Sequence, residues 1–289
     1  MPSGIVIVDK PAGWTSMDVC AKLRGILRER RIGHGGTLDP MATGVLPVFV
    51  GSAAKAVEFA EKSDKVYIAG LRLGVVTNTQ DSSGDVLDRR TVNVGRDDLN
   101  AVLPRFTGSM EQIPPMFSAI KIHGKKLYEL ARKGQEVERK ARPVTIHELE
   151  ILEQDGPERF LLKVRCSKGT YVRTLCHDIG SALGCGGCMD SLRRTMAAGF
   201  TIDQAVTLEQ IQASGPALLR PVDEMFFDCP EFRLAEGTQA RLCRNGNPLP
   251  ADGLRGGALY RVYGPDGTFL CLSRFEKGKL RSVKNFFGG

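Results

Sequence analysis

Apolar and polar positions alternate along this chain in short runs, each of strand or helix length. Gly4-Ile5-Val6-Ile7-Val8 is a continuous apolar run halted by Pro11 and Gly13, which predicts a buried strand. Thr15 with Asp18 three residues later predicts a capped helix start, and Val19, Leu23, Ile26 and Leu27 fall on one face of that helix. Arg24, Arg28, Arg30 and Arg31 gather toward its end, where cations suit the helix dipole. Val45 to Val50 predicts a second buried strand, Lys55 to Glu61 a short helix, and Val66 to Leu73 a further strand. A turn cluster over 78–84 and a helix from Arg96 to Leu103 follow. Phe160, Leu162, Val164 and Cys166 alternate with Leu161, Lys163 and Arg165, the pattern of a half-buried strand, and Gly169 ends it. Tyr171, Leu175, Ile179 and Leu183 then form a helical stripe.

Two stretches stand apart from this body. Residues 107–142 read as an inserted arm: Pro114-Pro115 is extended, Ile120 to Gly124 is strand into turn, and Lys125 to Lys133 is a short basic helix. The body resumes with a strand from Val144 to Leu152, and 207–226 reads as a short helix and connector. From Phe232 the texture changes to short strands, Leu259 to Tyr263, Phe269 to Ser273 and Leu280 to Val283, parted by turns such as Gly264-Pro265-Asp266-Gly267. The expectation is an α+β body over 1–231 and a small, mostly β domain over 232–289.

Charge adds a partner class. The net charge is +7 over 289 residues, but it is not evenly spread. Residues 121–142 carry eight basic and three acidic side chains, and 232–289 carry ten basic and four acidic. Two basic patches on a near-neutral to acidic body suit a polyanion held at two places; the plainer alternative is two solvated basic faces. No run of about 18 apolar residues is present to span a bilayer. The first ten residues read as a strand and not as a signal peptide, so a cytoplasmic protein with eight free cysteines is expected.

Several chemistries find no support. There is no phosphate-binding Gly-x-x-x-x-Gly-Lys loop, no Gly-x-Gly-x-x-Gly after a strand and no Gly-x-Ser-x-Gly elbow, so a nucleotide cofactor is not implied. Cys185-Gly186-Gly187-Cys188 supplies two of the four ligands zinc needs, and reads as two thiols in a Gly-rich turn. Of the histidines at 34, 123, 147 and 177, His34 stands out because it lies in a Gly-rich loop with Asp39. Glycines at 33, 35 and 36 let a ligand approach the backbone, and Pro40 keeps Asp39 out of the α region. A carboxylate on a rigid extended turn is what a positioned nucleophile or base requires, the alternative being an aspartate that only caps its own turn. A second cluster, Ser167 to Arg173, falls at a strand-to-helix junction. Arg173 could pair with Asp39 and hold it ionised, and Tyr171 could pack beneath a flat substrate; a core tyrosine and a surface arginine are the bland reading.

The loop GHGGTLDPMATGVLP (residues 33–47) closely resembles the signature loop of the TruB family of tRNA pseudouridine synthases. The likeness extends to KPAGWTS from Lys10, QIPPMFSAIK from Gln112, LYELARKG from Leu127, GTYVRTL from Gly169, DIGSALG from Asp178 and LRRT from Leu192, essentially the whole chain. It implies isomerisation of the uridine at position 55 of the tRNA T loop, after base flipping, with no cofactor or metal. By the same resemblance, Tyr67 would stack on the target base and take part in proton removal, Arg173 would pair with the nucleophile Asp39, and His34, Tyr171, Leu192 and Lys10 would join the substrate-binding set. It further implies that 107–142 is an RNA-binding thumb, that 232–289 is a PUA-like RNA-binding domain, and that the protein is a monomer. A tRNA-folding chaperone that binds and flips without turnover is the alternative. The family has threonine where Gly35 stands, so a looser loop or a lost hydroxyl contact is expected, and often histidine where Cys188 stands.

Overall fold

The apolar runs at 4–8 and 45–50 lie side by side in the computed structural model, which describes residues 2–122, 124–235 and 237–287. Along the first half the elements are β1 (Gly4–Lys10), α1 (Ser16–Leu27), β2 (Ile32–His34), β3 (Thr43–Val50), α2 (Val57–Lys62), β4 (Lys65–Leu73), β5 (Val75–Thr77), β6 (Val86–Arg89), α3 (Arg96–Val102) and β7 (Gly108–Gln112). The second half has β8 (Lys121–Ile122), β9 (Lys125–Lys126), α4 (Leu127–Ala131), β10 (Arg142–Asp155), β11 (Arg159–Cys166), α5 (Val172–Ala182), β12 (Gly187–Ala197), β13 (Phe200–Thr201) and α6 (Leu208–Ser214). The C-terminal part has β14 (Glu231–Arg233), α7 (Gly237–Arg244), β15 (Leu249–Pro250), β16 (Leu259–Tyr263), β17 (Phe269–Glu276) and β18 (Lys279–Asn285).

One mixed sheet runs β1-β3-β12-β4-β11-β10-β7, with β2 and β13 paired at its flank, and the expected α+β class holds. Continuous apolar strands suit it because β1 and β3 are covered on both faces. Val6, Val8, Leu46 and Val48 meet Val19, Leu23 and Leu27 of α1. Ile5, Ile7, Val45 and Phe49 meet Ala53, Ala56, Phe200 and Phe226 on the other side. The α1 start carries the capping box foreseen at Thr15 and Asp18, worth about 1 kcal/mol. Beneath β4, β11 and β10 a separate cluster joins Leu71, Phe160 and Leu162 to Leu99 of α3 and to Leu175 and Ile179 of α5.

Two readings need correction. The inserted arm is shorter than 107–142, because β7 pairs with the start of β10, Arg142 opposite Gln112, so both ends of that stretch belong to the sheet. The insertion proper spans 113–141. Its helix covers only Leu127–Ala131 and follows the β8–β9 hairpin; His123, part of the predicted turn, lies outside the described residues. The region after Cys188, to which the sequence pattern assigns no element, is a central strand, β12, parallel to β3 and antiparallel to β4. The five-stranded C-terminal sheet, β14-β16-β17-β18-β15, begins at Glu231. Its Leu272 and Phe286 pack with Phe226 and Ile5 of the body, so the small domain is fastened to the sheet's back.

Candidate active site

The loop after β2, the start of α5, the turn at 79–83 and the arm enclose a cavity of about 650 Å³. Asp39 lies in it. Arg173, in the first turn of α5, grips that carboxylate through Nε to Oδ2 at 3.0 Å and through Nη2 to Oδ1 at 3.4 Å, a side-on fork. Its remaining donors reach the Thr79 carbonyl at 3.1 Å and the Phe117 carbonyl, in the arm, at 2.9 Å. Asp81 stands 3.6 Å from Nη1 and is itself buried. One guanidinium therefore joins the loop, the 79–81 turn, the arm and the helix.

The surroundings pull the Asp39 carboxyl two ways. Burial in the cavity wall pushes its pKa up, the Arg173 charge opposes that, and the nearby Asp81 carboxylate adds to the rise. The net direction is upward, although 36% of the side chain stays open to the cavity. A carboxylate ionised yet poorly solvated is a stronger nucleophile or base than one in water.

The loop's shape is held by buried cations. Lys10, fully buried, donates from Nζ to the carbonyls of Pro11 at 2.9 Å, Trp14 at 2.6 Å and Pro40 at 3.2 Å. Burial lowers its pKa to about 8, against the pull of Asp39. Arg194 on β12, 1% exposed, donates to the carbonyls of Val45 at 2.7 Å, Gly36 at 3.1 Å and Thr37 at 3.4 Å. Ser16 closes the other side, its Oγ accepting from the Leu38 amide at 2.9 Å. Gly44 makes the approach of β12 to β3 feasible: its φ is +99°, and a Cβ there would stand 2.2 Å from the Arg194 carbonyl. These groups hold the loop's backbone carbonyls and leave the Asp39 carboxylate facing the cavity.

Tyr67 on β4 and Leu192 on β12 line the same cavity, as does Tyr171, the residue capping α5. Burial raises the Tyr67 pKa, with Arg194 beside it pulling the other way, so its phenol is protonated at neutral pH. Gln112 locks Tyr171 in place, its amide spanning the Tyr171 N–H at 2.8 Å and the Tyr171 carbonyl at 3.1 Å. The bland reading of the 167–173 cluster is inverted: the arginine is buried and the tyrosine half-exposed. Lys10 and His34 do not line the cavity. Lys10 acts from beneath, on the loop backbone. His34 ends β2 opposite Val48, and burial lowers its pKa. Gly35 does not loosen its loop: a Cβ there would come within 2.6 Å of Ala60 Cβ and 3.1 Å of Phe49, so its missing side chain is filled by packing.

Asp81 and Arg194 escape a reading by sequence. Asp81 looks like any turn residue, its Oδ1 accepting from the hydroxyls of Thr79 and Ser83. Only the stitching of its turn to β12, Met189 N–H to Gln80 carbonyl at 3.0 Å, brings it to Arg173. Arg194 has a signal in the LRRT run, but nothing there separates it from its exposed neighbour Arg193. Cys185 and Cys188 are both buried. Among the described residues no group of three His, Cys, Asp or Glu is placed to hold a metal ion, and no helix is long and apolar enough to cross a membrane.

Comparison with known proteins identifies the family and the fold. Residues 24–172 match the TruB family pseudouridylate synthase N-terminal domain, and residues 173–226 match the tRNA pseudouridylate synthase B C-terminal domain. The tRNA pseudouridine synthase B of Cupriavidus metallidurans is 44% identical, over 96% of this chain and 92% of that protein. The protein of that name from Clostridium kluyveri is 40% identical over 98% and 99%. The solved Cbf5-Nop10-Gar1 complex contains a chain of similar fold, with a TM-score of 0.75 and 26% identity over 98% of this chain and 85% of that one. Fold and relatives together define a pseudouridine synthase, an isomerase. The chain belongs to the TruB family.

Proposed function

We propose that this enzyme isomerises a uridine in the T loop of tRNA, in the cytoplasm and as a monomer, with Asp39 as the nucleophile. The single observation that carries the reading is the Asp39–Arg173 fork at the floor of a nucleotide-sized cavity. The relatives named tRNA pseudouridine synthase B supply the substrate class.

The net reaction breaks the N1–C1′ bond, turns the uracil, and forms a C5–C1′ bond. The proton on C5 leaves and N1 regains one, so no electrons or water are consumed. One ionised carboxylate, a surface to hold the base and a proton acceptor suffice. Asp39 supplies the first, held ionised by Arg173. Tyr67, Leu192 and Tyr171 supply a flat, largely apolar surround for the detached base. Extruding the base costs a few kcal/mol, and stacking on an aromatic ring can return about 1–3 kcal/mol of it. The Tyr67 hydroxyl takes part in removing the C5 proton; burial raises its pKa, and the Arg194 charge beside it offsets part of that rise. The basic arm and the C-terminal, PUA-like sheet hold phosphates by charge.

The test is tritium release from tRNA transcript labelled at C5 of uridine. Release by the wild type and none by Asp39→Asn, with RNA still bound by both, is the expected result. Equal release would sink the nucleophile assignment. Binding with no release by either protein would leave a tRNA-folding chaperone in its place.

A further inference from the structure

We propose that Arg132, seated on the ring of Tyr128, binds the phosphodiester beside the reacting uridine; the assignment rests on the substrate reading above. Four cations line the cavity among the described residues: Lys65, Arg132, Arg173 and Arg194. Three are committed to the protein. Lys65 is buried and donates to the carbonyls of Ala60, Glu61 and Ser63. Arg173 and Arg194 spend their donors on Asp39 and on loop carbonyls. Arg132 is exposed, one residue past α4, and among the described residues its guanidinium meets no carboxylate or carbonyl.

What Arg132 does meet is an aromatic face. Its guanidinium carbon lies 5.3 Å from the centroid of the Tyr128 ring, one helical turn back. A cation held over a ring face by this kind of contact consumes none of its hydrogen-bond donors, so the guanidinium keeps them available for a phosphate. Lys126 adds charge at the same ring, its Nζ donating to the Tyr128 hydroxyl at 3.1 Å. The carboxylates that line the cavity, Asp39, Glu61 and Asp81, repel a phosphate. A nucleotide therefore enters with its C1′ toward Asp39 and its phosphate toward the arm, where the one uncommitted cation waits. On this reading the arm sets the depth and direction of the ribose as well as holding RNA.

The experiment compares three T-arm stem-loops with the intact protein: the natural one, and two with an uncharged methylphosphonate on the 5′ or the 3′ side of the target uridine. Arg132→Gln should raise KM about ten-fold on the natural RNA, the scale of one lost charge-assisted hydrogen bond, while kcat changes far less. It should also lower the salt dependence of binding by about one counterion. On one of the two methylphosphonate RNAs, wild type and variant should become equal, because the partner of Arg132 has already gone. Arg132→Lys should recover part of the KM, and Tyr128→Leu, which frees the guanidinium, should mimic a partial loss. An unchanged KM for Arg132→Gln, or the same penalty on all three RNAs, would overturn the assignment. If the wild type released no tritium from any RNA, the substrate reading would fall; the same three-RNA comparison, read as affinity, would still decide Arg132.

Discussion

The floor of the cavity and the arm above it use the same residue types for opposite purposes. On the floor, Lys10, Arg173 and Arg194 are buried and their donors are occupied by loop carbonyls and by Asp39. On the arm, Arg132 is exposed and open-handed. A buried cation is too costly to leave unpaired, so it serves as a rigid brace whose charge is shared with backbone oxygens. An exposed one is cheap, mobile and screened by salt, which suits transient capture of a polyanion. Changes on the floor should therefore cost rate and stability, whereas changes outside should cost affinity, and only at low salt.

The largest expected effect is Asp39→Asn, a loss of turnover of about three orders of magnitude or more, measured by single-turnover tritium release. RNA binding should survive, and a matching loss of affinity would blur the division just drawn. Arg173→Met should come next, slowing the reaction about 100-fold or more. It also gives the comparison a sign. Burial already raises the Asp39 pKa, so activity should fall on the acid side at a higher pH than an ordinary aspartate would give. Removing Arg173 deletes the main charge opposing that rise, so the acid limb of the pH–rate profile should move higher still. A limb that moved lower, or did not move, would mean another group titrates there.

Arg194→Met should leave the carbonyls of Gly36, Thr37 and Val45 without their donor, costing about 3 kcal/mol and lowering the thermal midpoint by several degrees. Gly35→Thr, which restores the family's usual residue, should cost about 1–3 kcal/mol here, because Ala60 and Phe49 already fill the space. A neutral result would mean that α2 moves readily. The smallest effect belongs outside: Lys277→Glu with Lys279→Glu on the C-terminal sheet should weaken RNA binding about ten-fold at low salt and hardly at all at high salt. Charge reversal is a cleaner probe than deleting 232–289. Deletion would also strip Leu272 and Phe286 from the back of the main sheet.

Most of the body is legible in the sequence because its strands and helices obey one period at a time. The run Ile5 to Val8, the box at Thr15 and Asp18, and the alternation from Phe160 to Cys166 all formed as read. Strand β12 did not show itself. Its Asp190, Ser191, Arg193 and Arg194 break up any apolar run, yet they occupy an interior strand of the sheet. Arg194 is tolerated there because three carbonyls of a distant loop meet its donors, and no local rule reveals that. The arm was overextended for a related reason: Gly108 to Gln112 lacks an apolar stripe, since it is an edge strand with only Gln112 fully buried. At the site, Asp39, Tyr67, Tyr171, Leu192 and Arg173 converge on one cavity, whereas His34 and Lys10 lie outside its lining. Asp81 needs the fold, because its role depends on a stitch between a turn and a strand 109 residues apart, Gln80 to Met189.

The reach of Arg173 also bears on how the molecule assembles. Its partners Asp39, Thr79 and Phe117 lie 134, 94 and 56 positions away in the chain. Contacts this non-local form only after large loops have closed, which is slow and entropically uphill until the sheet is in place. Helices and hairpins can be present while the carboxylate is still without its guanidinium. Recovery of turnover during refolding should therefore lag behind recovery of helical signal, and partly folded chains should be catalytically silent.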